Sequence, residues 1–383
     1  MAPITIVGTG LAGYSVAREL RKLDKATPLR IISRDHGGFY SKPMLSNALA
    51  SGKSAAQLLM KSAEQMAAEL NAQVLAHTRV DAIASDRHIL ATDRGELAYS
   101  KLVLALGADP SNPELQGDGA DAVISVNDLD DYQHFRSAID GKQRVAILGG
   151  GLIGCEFAND LAGRGYRVDV IDLAQWPLSR LLPEAGGALL CERLAAVGVH
   201  FHAGCSASSV NCTGQGYCLE LSNNQRIETD VVLSAIGLRP RIQLAQAAGL
   251  AVGRGVVVDG KLQASAADIY ALGDCAEVCG QVLPFVMPIM QAARALAATL
   301  AGNPTAVRYP AMPVVVKTPA CPTTVCPPPP ASSGNWHIET PAAGLKALFC
   351  DASGKPLGFA LLDAANAEKQ ALTAQMPAWL EAR

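Results

Sequence analysis

The chain carries the glycine pattern G-x-G-x-x-G twice, and each copy follows a short apolar segment and precedes a helical one. The copies lie in ITIVGTGLAG and RVAILGGGLIG, and their glycines are Gly8, Gly10 and Gly13, then Gly149, Gly151 and Gly154. In such a turn the first glycine allows the bend, the second lets the backbone approach a pyrophosphate, and the third packs the helix on the strand. Glycine-rich turns without a ligand are the alternative, but the duplication predicts two dinucleotide-binding units.

The residue that ends the second strand of each unit indicates which nucleotide the unit holds. In the second unit YRVDVID ends at Asp172, whose carboxylate can accept hydrogen bonds from both ribose hydroxyls and repels a 2′-phosphate. This predicts NADH in preference to NADPH, although the nearby Arg180 leaves some use of NADPH open. In the first unit Ser33 replaces the carboxylate, so Ser33, Arg34 or the backbone is expected to hold the ribose, and Asp35 to cap a turn.

Composition and charge exclude several classes of function. With 383 residues and a net charge of −3, the chain has no broad basic surface for nucleic acid. The N-terminal MAPITIVGTG enters an apolar strand without a signal-peptide pattern, and no apolar run reaches membrane-spanning length. We therefore expect a soluble, cytoplasmic protein whose ten cysteines stay mostly reduced and buried.

Three later segments connect the two units. KLVLALGADP and DVVLSAIGLRP are apolar strands that each end in a glycine turn, and DIYALGDCAE ends in Gly273-Asp274. A carboxylate at the carboxyl end of a strand points into the ligand crevice of an open α/β sheet, although Asp274 could also cap a helix. In combination, these motifs resemble those of the FAD/NAD(P) pyridine-nucleotide oxidoreductases.

The resemblance implies an α/β architecture with two Rossmann-like domains and a small α+β domain at the C-terminus. It implies an FAD domain built from 1–110 and 246–315, with the NAD domain 111–245 inserted between its parts and 316–383 as the C-terminal domain. Within that last domain, two strands joined by a turn are expected in 344–363, followed by a helix. A domain this short is too small for the dimerising role of larger relatives, which favours a monomer.

The cysteines indicate the branch of the family. Disulfide reductases of this type carry a cysteine pair in the region equivalent to 37–52, but the first cysteine here is Cys155. Cys321 and Cys326 have the C-x-x-x-x-C spacing of a redox pair, yet they follow the FAD domain and adjoin four prolines. We expect one buried and one loop thiol there; a catalytic disulfide is the alternative.

Two motifs resemble those of flavoproteins that reduce small iron or iron–sulfur carriers. FYSKPMLS supplies Lys42, and GGGLIGCE supplies Glu156. The resemblance implies that both are catalytic, as a Lys–Glu pair that aligns nicotinamide at the flavin N5 edge. The alternatives are a solvated loop lysine and a glutamate that only stabilises the first turn of a helix.

The resemblance also implies the remaining nucleotide contacts. The expected FAD contacts are Gly8, Thr9, Gly10, Leu11, Ala12, Gly13, Ser33, Arg34, Lys42, Val80, Glu156, Asp274, Val286 and Lys317. The expected NAD contacts are Gly149, Gly151, Gly154, Glu156 and Asp172. Core packing for Val286, an exposed strand end for Lys317 and a plain strand position for Val80 are the alternatives.

No metal site is expected. His200 and His202 stand two residues apart near Cys205, but alternation along a strand explains this spacing and no further ligands are evident.

Over its full length the sequence is similar to the bacterial FAD-dependent NAD(P)H:rubredoxin reductases. That resemblance implies electron transfer from NADH through FAD to rubredoxin, one electron at a time, in support of alkane degradation or oxygen defence. Rubredoxins are acidic, so local Lys and Arg side chains are expected to face the carrier. The alternatives are an NADH:ferredoxin reductase of an oxygenase system, a thiol-dependent disulfide reductase and a non-catalytic NADH-sensing flavoprotein.

Overall fold

A computed structural model describes residues 2–340 and 344–381. Two five-stranded parallel sheets form its frame. The first sheet is built, in spatial order, from Ile269–Ala271, Lys101–Leu104, Ile4–Val7, Leu29–Ile32 and Gln73–Leu75. The second is built from Val199–Ala203, Arg167–Asp172, Arg144–Leu148, Val231–Ser234 and Ile124–Ser125. In both, the strand before the glycine motif is central, as Rossmann-like units require.

The first sheet combines strands from distant parts of the sequence. Its edge strand Ile269–Ala271 pairs with Lys101–Leu104 and follows the whole of the second unit in the chain. One apolar core accordingly contains residues from the beginning of the chain together with the helix Val286–Leu300. The discontinuous FAD domain stays a prediction at its exact boundaries.

The crossings between the two units form a small antiparallel pair. Ala108–Pro110 leaves the first unit and Leu238–Pro240 returns to it, and the two strands are hydrogen-bonded to each other. The remaining short sheets are Val80–Ala84 with Ile89–Thr92 and Gly95–Ala98; Ala207–Cys212 with Tyr217–Leu221 and Arg226–Thr229; Val256–Val258 with Ala276–Val278; and Arg308–Tyr309 with Leu380–Glu381.

Helices cover the faces of both sheets. The α-helices are Leu11–Leu23, Ala55–Leu58, Ala63–Leu70, Leu129–Ile139, Leu152–Ala162, Glu184–Ala195, Gln243–Ala247, Val286–Leu300 and Lys369–Thr373. The 3₁₀ helices are Lys42–Asn47, Ala120–Ala122, Gly273–Cys275 and Ala364–Glu368. None of the helices in the described part of the chain combines the length and apolar character that a membrane span requires.

The C-terminal part is an antiparallel sheet that packs against the second unit. Its strands, in spatial order, are Val314–Val316, Thr323–Cys326, Pro356–Asp363, Gly344–Cys350 and Asn335–Glu339. Apolar side chains of this sheet share one core with the helix Leu152–Ala162. The α/β architecture with a small α+β C-terminal part is therefore confirmed.

The helix expected after residue 363 is wrong for most of its length. A 3₁₀ turn and the five-residue helix Lys369–Thr373 replace it, and Leu380–Glu381 forms a strand beside Arg308–Tyr309. Pro377 explains the break, because proline disfavours helical backbone at the residue before it and has no N–H to donate.

Candidate flavin and nicotinamide site

One cavity of about 1000 Å³ opens where the first sheet, the second unit and the C-terminal sheet meet. It lies at the carboxyl ends of the parallel strands, where open α/β sheets bind their ligands. Of the fourteen residues predicted to contact FAD, all but Gly13 line it: Gly8, Thr9, Gly10, Leu11, Ala12, Ser33, Arg34, Lys42, Val80, Glu156, Asp274, Val286 and Lys317. The predicted FAD contacts are thus brought together, although the contacts themselves stay predictions.

The backbone around the first glycine motif fits a pyrophosphate. Gly8 has a φ of +120°, a backbone conformation that residues with a side chain rarely adopt. A methyl group on Gly8 would also overlap the carbonyl oxygen of Ala105. A methyl group on Gly13 would overlap the carbonyl oxygen of Gly8, so Gly13 holds the helix against the turn. Gly10 faces open space, which leaves room for phosphate oxygens beside the N-terminus of the helix Leu11–Leu23.

The end of the strand Leu29–Ile32 carries a polar cluster. The Ser33 hydroxyl donates to Asp35 Oδ1 at 2.6 Å and lies 2.7 Å from the Thr9 hydroxyl. Asp35 also accepts from the Gly37 N–H at 2.9 Å, so it caps a turn. Burial alone would raise the pKa of Asp35, but these hydrogen bonds lower it below its ordinary value. Arg34 stays exposed, near Asp109.

Lys42 begins the 3₁₀ helix Lys42–Asn47 and extends into the cavity. Burial lowers the pKa of Lys42, and the Asp274 carboxylate opposes that shift. Burial likewise raises the pKa of Asp274, opposed by Lys42 and Arg241. Each group thus favours the charged form of the other, and both line the cavity.

Glu156 has a different partner from the one predicted. Its carboxylate accepts hydrogen bonds from the Lys317 ammonium, the Lys317 backbone N–H at 3.0 Å and the Ser46 hydroxyl. Lys317 Nζ also donates to Ser46 Oγ at 3.1 Å. The predicted Lys42–Glu156 pair is therefore wrong: Lys317 follows the strand Val314–Val316 and reaches Glu156 first. The solvated loop predicted as the alternative for Lys42 does not describe it either, because Lys42 lies largely buried in the cavity wall.

The second glycine motif repeats the geometry of the first. Gly149 has a φ of +104°, and a methyl group on Gly154 would overlap the Gly149 carbonyl oxygen. Asp172 ends its strand and accepts hydrogen bonds from the N–H groups of Gly150 and Ala174. Gly149, Gly151, Gly154 and Asp172 lie outside the cavity wall, but Glu156 of the same helix lies in it. A dinucleotide at this motif could thus extend towards the cavity.

Four polar residues of the site escaped the sequence predictions. Arg241 donates to Asp109 Oδ1 at 2.7 Å beside the crossing strands, and Asn127 donates to the Ala108 carbonyl oxygen at 3.0 Å. Ser234 ends a strand of the second sheet, is 7% exposed, and has no hydrogen-bond partner for its hydroxyl among the described residues. No motif marks these positions. An unpaired buried hydroxyl in a cavity wall fits a polar ligand group.

None of the cysteines lines the cavity. All ten are free thiols, and Cys321 and Cys326 are both fully buried. Cys326 belongs to the strand Thr323–Cys326, and Cys321 lies in the loop before it, so one thiol is in a loop as expected, although it is buried as well. Neither cysteine lines the cavity. Burial raises the pKa of Cys321 to about 12 and that of Cys326 to about 11, so both are protonated at neutral pH.

The histidine pair has a structural explanation. His202 Nε2 lies 2.8 Å from Asp169 Oδ1 on the neighbouring strand. Among the described residues, no group of three or more His, Cys, Asp or Glu side chains is placed to hold a metal ion.

One glycine turn that lines the cavity and a second such unit that contributes Glu156 to its wall are typical of flavin-dependent pyridine-nucleotide enzymes, and comparison with known proteins agrees. Residues 2–299 match the family model described as pyridine nucleotide-disulphide oxidoreductase, and the chain belongs to this family. Residues 306–376 match a second model, described as the rubredoxin-binding C-terminal domain.

Individual relatives extend over the whole chain. The chain is 50% identical over 380 residues to a rubredoxin-NAD(+) reductase of Alcanivorax borkumensis, covering 99% of both chains. It is 47% identical to the rubredoxin-NAD(+) reductase of Acinetobacter baylyi, covering 97% of both. Among solved structures, the ferredoxin reductase for the CYP199A2 system from Rhodopseudomonas palustris aligns with a TM-score of 0.88 at 24% identity, covering 98% of this chain and 96% of that one. This last likeness shows a shared fold.

Proposed function

We propose that this protein is a flavoprotein reductase that passes electrons from NADH through FAD to rubredoxin, without a redox-active disulfide. The observation that carries the proposal is the full-length identity of about half with a rubredoxin-NAD(+) reductase. The match of residues 306–376 to a rubredoxin-binding domain supports the same acceptor. That region contributes Val314, Val315 and Lys317 to the cavity wall, so the part of the chain that matches the rubredoxin-binding domain borders the proposed flavin site.

Bound FAD would supply the hydride acceptor and the one-electron donor that the reaction needs. The chain's own residues would bind and orient it: the turn around Gly8 and Gly10 would hold the pyrophosphate, and Ser33 with Arg34 would hold the ribose. The N-terminus of the helix Val286–Leu300 presents its partial positive charge to the cavity, where Val286 is exposed rather than packed in the core.

Glu156 and Lys42 would place the nicotinamide. Glu156 sits where the second dinucleotide unit meets the cavity, and its carboxylate can accept a hydrogen bond from a carboxamide. Lys42 and Asp274 line the same cavity, and each favours the charged form of the other, so their charges would stabilise charge shifts during hydride transfer. Lys317 adds a positive charge shared with Glu156.

The acceptor is tested by rapid mixing and turnover. Purified holoprotein is reduced by NADH without oxygen and then mixed with rubredoxin or with a [2Fe–2S] ferredoxin at equal concentration. We expect fast reduction by NADH and turnover with rubredoxin at least tenfold above that with ferredoxin. Preference for ferredoxin would favour a ferredoxin reductase, and slow reduction with no fast acceptor would favour an NADH-sensing flavoprotein.

Three finer parts belong to the proposal. The protein would act as a monomer, in the cytoplasm, in a system that supplies electrons for alkane degradation. The small C-terminal sheet supports the monomer, because its apolar side chains are used against the second unit. Sedimentation of the holoprotein at micromolar concentration tests this, with a single species of about 40 kDa expected.

A further inference from the structure

The helix after the second glycine motif has three buried polar side chains on one face. Glu156, Asn159 and Asp160 of the helix Leu152–Ala162 are 1%, 8% and 3% exposed. Their spacing of three and four residues places them side by side. Burying a polar group costs free energy unless it is hydrogen-bonded, so we expect each of these side chains to have a hydrogen-bond partner.

Each partner lies in a different part of the chain. Asp160 Oδ2 accepts from the Leu49 N–H at 2.9 Å, and Asp160 Oδ1 accepts from the Ala50 N–H at 2.9 Å. Asn159 Oδ1 accepts from the Ala320 N–H at 3.0 Å. Glu156 bonds to Ser46 and Lys317 as described above. One helix of the second unit therefore fastens both the segment 42–50 and the turn 317–320.

The segment that Asp160 holds also carries residues of the cavity wall. The segment 42–50 carries Lys42 at one end and Ser46 in its middle, and both line the cavity. Leu49 belongs to the core of the second unit. Asp160 uses both carboxylate oxygens on this one segment, and because Leu49 and Ala50 are adjacent, the two bonds fix its orientation as well as its position.

We propose that Asp160 is a positioning residue for hydride transfer. It holds the segment 42–50 against the helix that carries Glu156, and so sets the placement of Lys42 and Ser46 relative to Glu156. This rests on the proposed function of the cavity. Asp160 itself does not line the cavity. Small displacements of orienting groups reduce rates strongly, which is why a residue outside the wall can act on the reaction.

Burial of Asp160 agrees with this assignment. Burial raises its pKa, and the hydrogen bonds from Ala50 and Leu49 oppose the shift. Arg164 and Arg136 also favour its charged form. The two N–H donors and the nearby guanidinium groups therefore stabilise a carboxylate that is otherwise costly to bury.

The test is the substitution Asp160→Asn, which keeps the shape but turns an NH₂ group towards one of the two N–H donors. In the holoprotein we expect the limiting rate of flavin reduction by NADH to fall about tenfold. The dissociation constant of NADH should stay within twofold, and so should the rate of rubredoxin reduction by the pre-reduced protein. Asp140→Asn is the matched control, because it removes the same charge from an exposed helix end and should change nothing.

A second measurement does not depend on flavin reduction. Hydrogen exchange of the Leu49 and Ala50 amides in the oxidised holoprotein should be at least tenfold faster in the Asn variant than in the wild type, with other protected amides unchanged. If the Asn variant does not fold, Asp160→Ser keeps one acceptor and should expose the same two amides. Faster exchange with an unchanged reduction rate would overturn the positioning role, as would unchanged exchange.

The proposed function and this inference fail separately. Flavin reduction is measured without rubredoxin, so a wild type that reduces its flavin but not rubredoxin contradicts only the proposed acceptor. A normal reduction rate in a folded Asp160 variant contradicts only the positioning role.

Discussion

Glu156 is the residue at which three parts of the molecule meet. Its carboxylate belongs to the second dinucleotide unit, Ser46 to the segment after the first, and Lys317 to the C-terminal sheet. A carboxylate that is 1% exposed needs such partners, because an isolated buried charge costs several kcal/mol. Glu156 is ion-paired with Lys317 rather than with Lys42, whose charged form is favoured by Asp274.

The first prediction concerns this junction. Glu156→Gln removes the charge that faces the Lys317 ammonium and should lower the free energy of unfolding by about 2–3 kcal/mol, because Lys317 keeps some contact with water. Flavin reduction by NADH should slow at least tenfold. Ser46→Ala keeps the Glu156–Lys317 ion pair but removes the hydroxyl that bonds to both charged groups, and should cost about 1.5 kcal/mol. Equal effects of the two substitutions in chemical denaturation would contradict the central place of Glu156.

The second prediction concerns the unpaired hydroxyl of Ser234. Ser234→Ala removes a buried group without a partner among the described residues, so the thermal midpoint should stay the same or rise slightly. If that hydroxyl binds the nicotinamide nucleotide, the KM for NADH should increase about fivefold, equivalent to about 1 kcal/mol. Lower stability with an unchanged KM would mean that the hydroxyl has a structural partner instead.

The residues of the site were predictable to different degrees. Those in the glycine turns follow from local motifs, because the backbone geometry there admits little else. The partner of Glu156 could not be predicted, because Lys317 is far away in sequence and only tertiary packing brings it close. Ser234 and Arg241 carry no local signal, since a serine or arginine after a strand is ordinary in sequence.

At the scale of elements, the parallel strands and the helices after the glycine motifs follow from hydrophobic patterning. The structure of the C-terminal segment does not follow from such patterning. ANAEKQALTAQM has helical composition, yet only Lys369–Thr373 becomes α-helical, because Pro377 ends the pattern and Leu380 pairs with Tyr309. Such a short pairing between distant strands depends on the packed fold and is invisible to local propensity.

The third prediction concerns the element boundary at Asp230. This carboxylate accepts hydrogen bonds from Arg144 and from the N–H groups of Gln143 and Arg144, where a hairpin strand meets the second sheet. Burial alone would raise its pKa, but these bonds lower it to about 2 from an ordinary 3.8. Because the folded-state pKa is depressed, the stabilisation is present above pH 4 and lost as the pH falls towards 2.

Asp230→Asn should therefore lower stability by about 1 kcal/mol at pH 7, the size expected for a partly exposed pair. The difference from the wild type should shrink between pH 4 and pH 3. Thermal midpoints of both proteins at pH 7, 4 and 3 provide the measurement. A difference that is constant with pH would show that the carboxylate charge does not matter.

On the scale of the whole molecule, the cavity is shared by all three parts of the fold. Residues of the first unit line much of it. The second unit contributes Glu156 and Ser234, and the C-terminal part contributes Val314, Val315 and Lys317. Val315 is 52% exposed, so an apolar contact for a partner lies directly beside the cavity. The match to a rubredoxin-binding domain falls on this side of the cavity, so we propose that electrons leave by it.

The last prediction follows from this route. Since Cys321 and Cys326 are buried, protonated and outside the cavity wall, they have neither the thiolate nor the access that a relay requires. A double variant, Cys321→Ala with Cys326→Ala, should lose about 1–2 kcal/mol of stability through the small cavities it leaves. Its rates of flavin reduction by NADH and of electron transfer to rubredoxin should stay within twofold of the wild type in rapid mixing. A loss of tenfold or more in a variant that folds and binds FAD normally would instead place a thiol between the flavin and its acceptor, and the C-x-x-x-x-C spacing would then be functional.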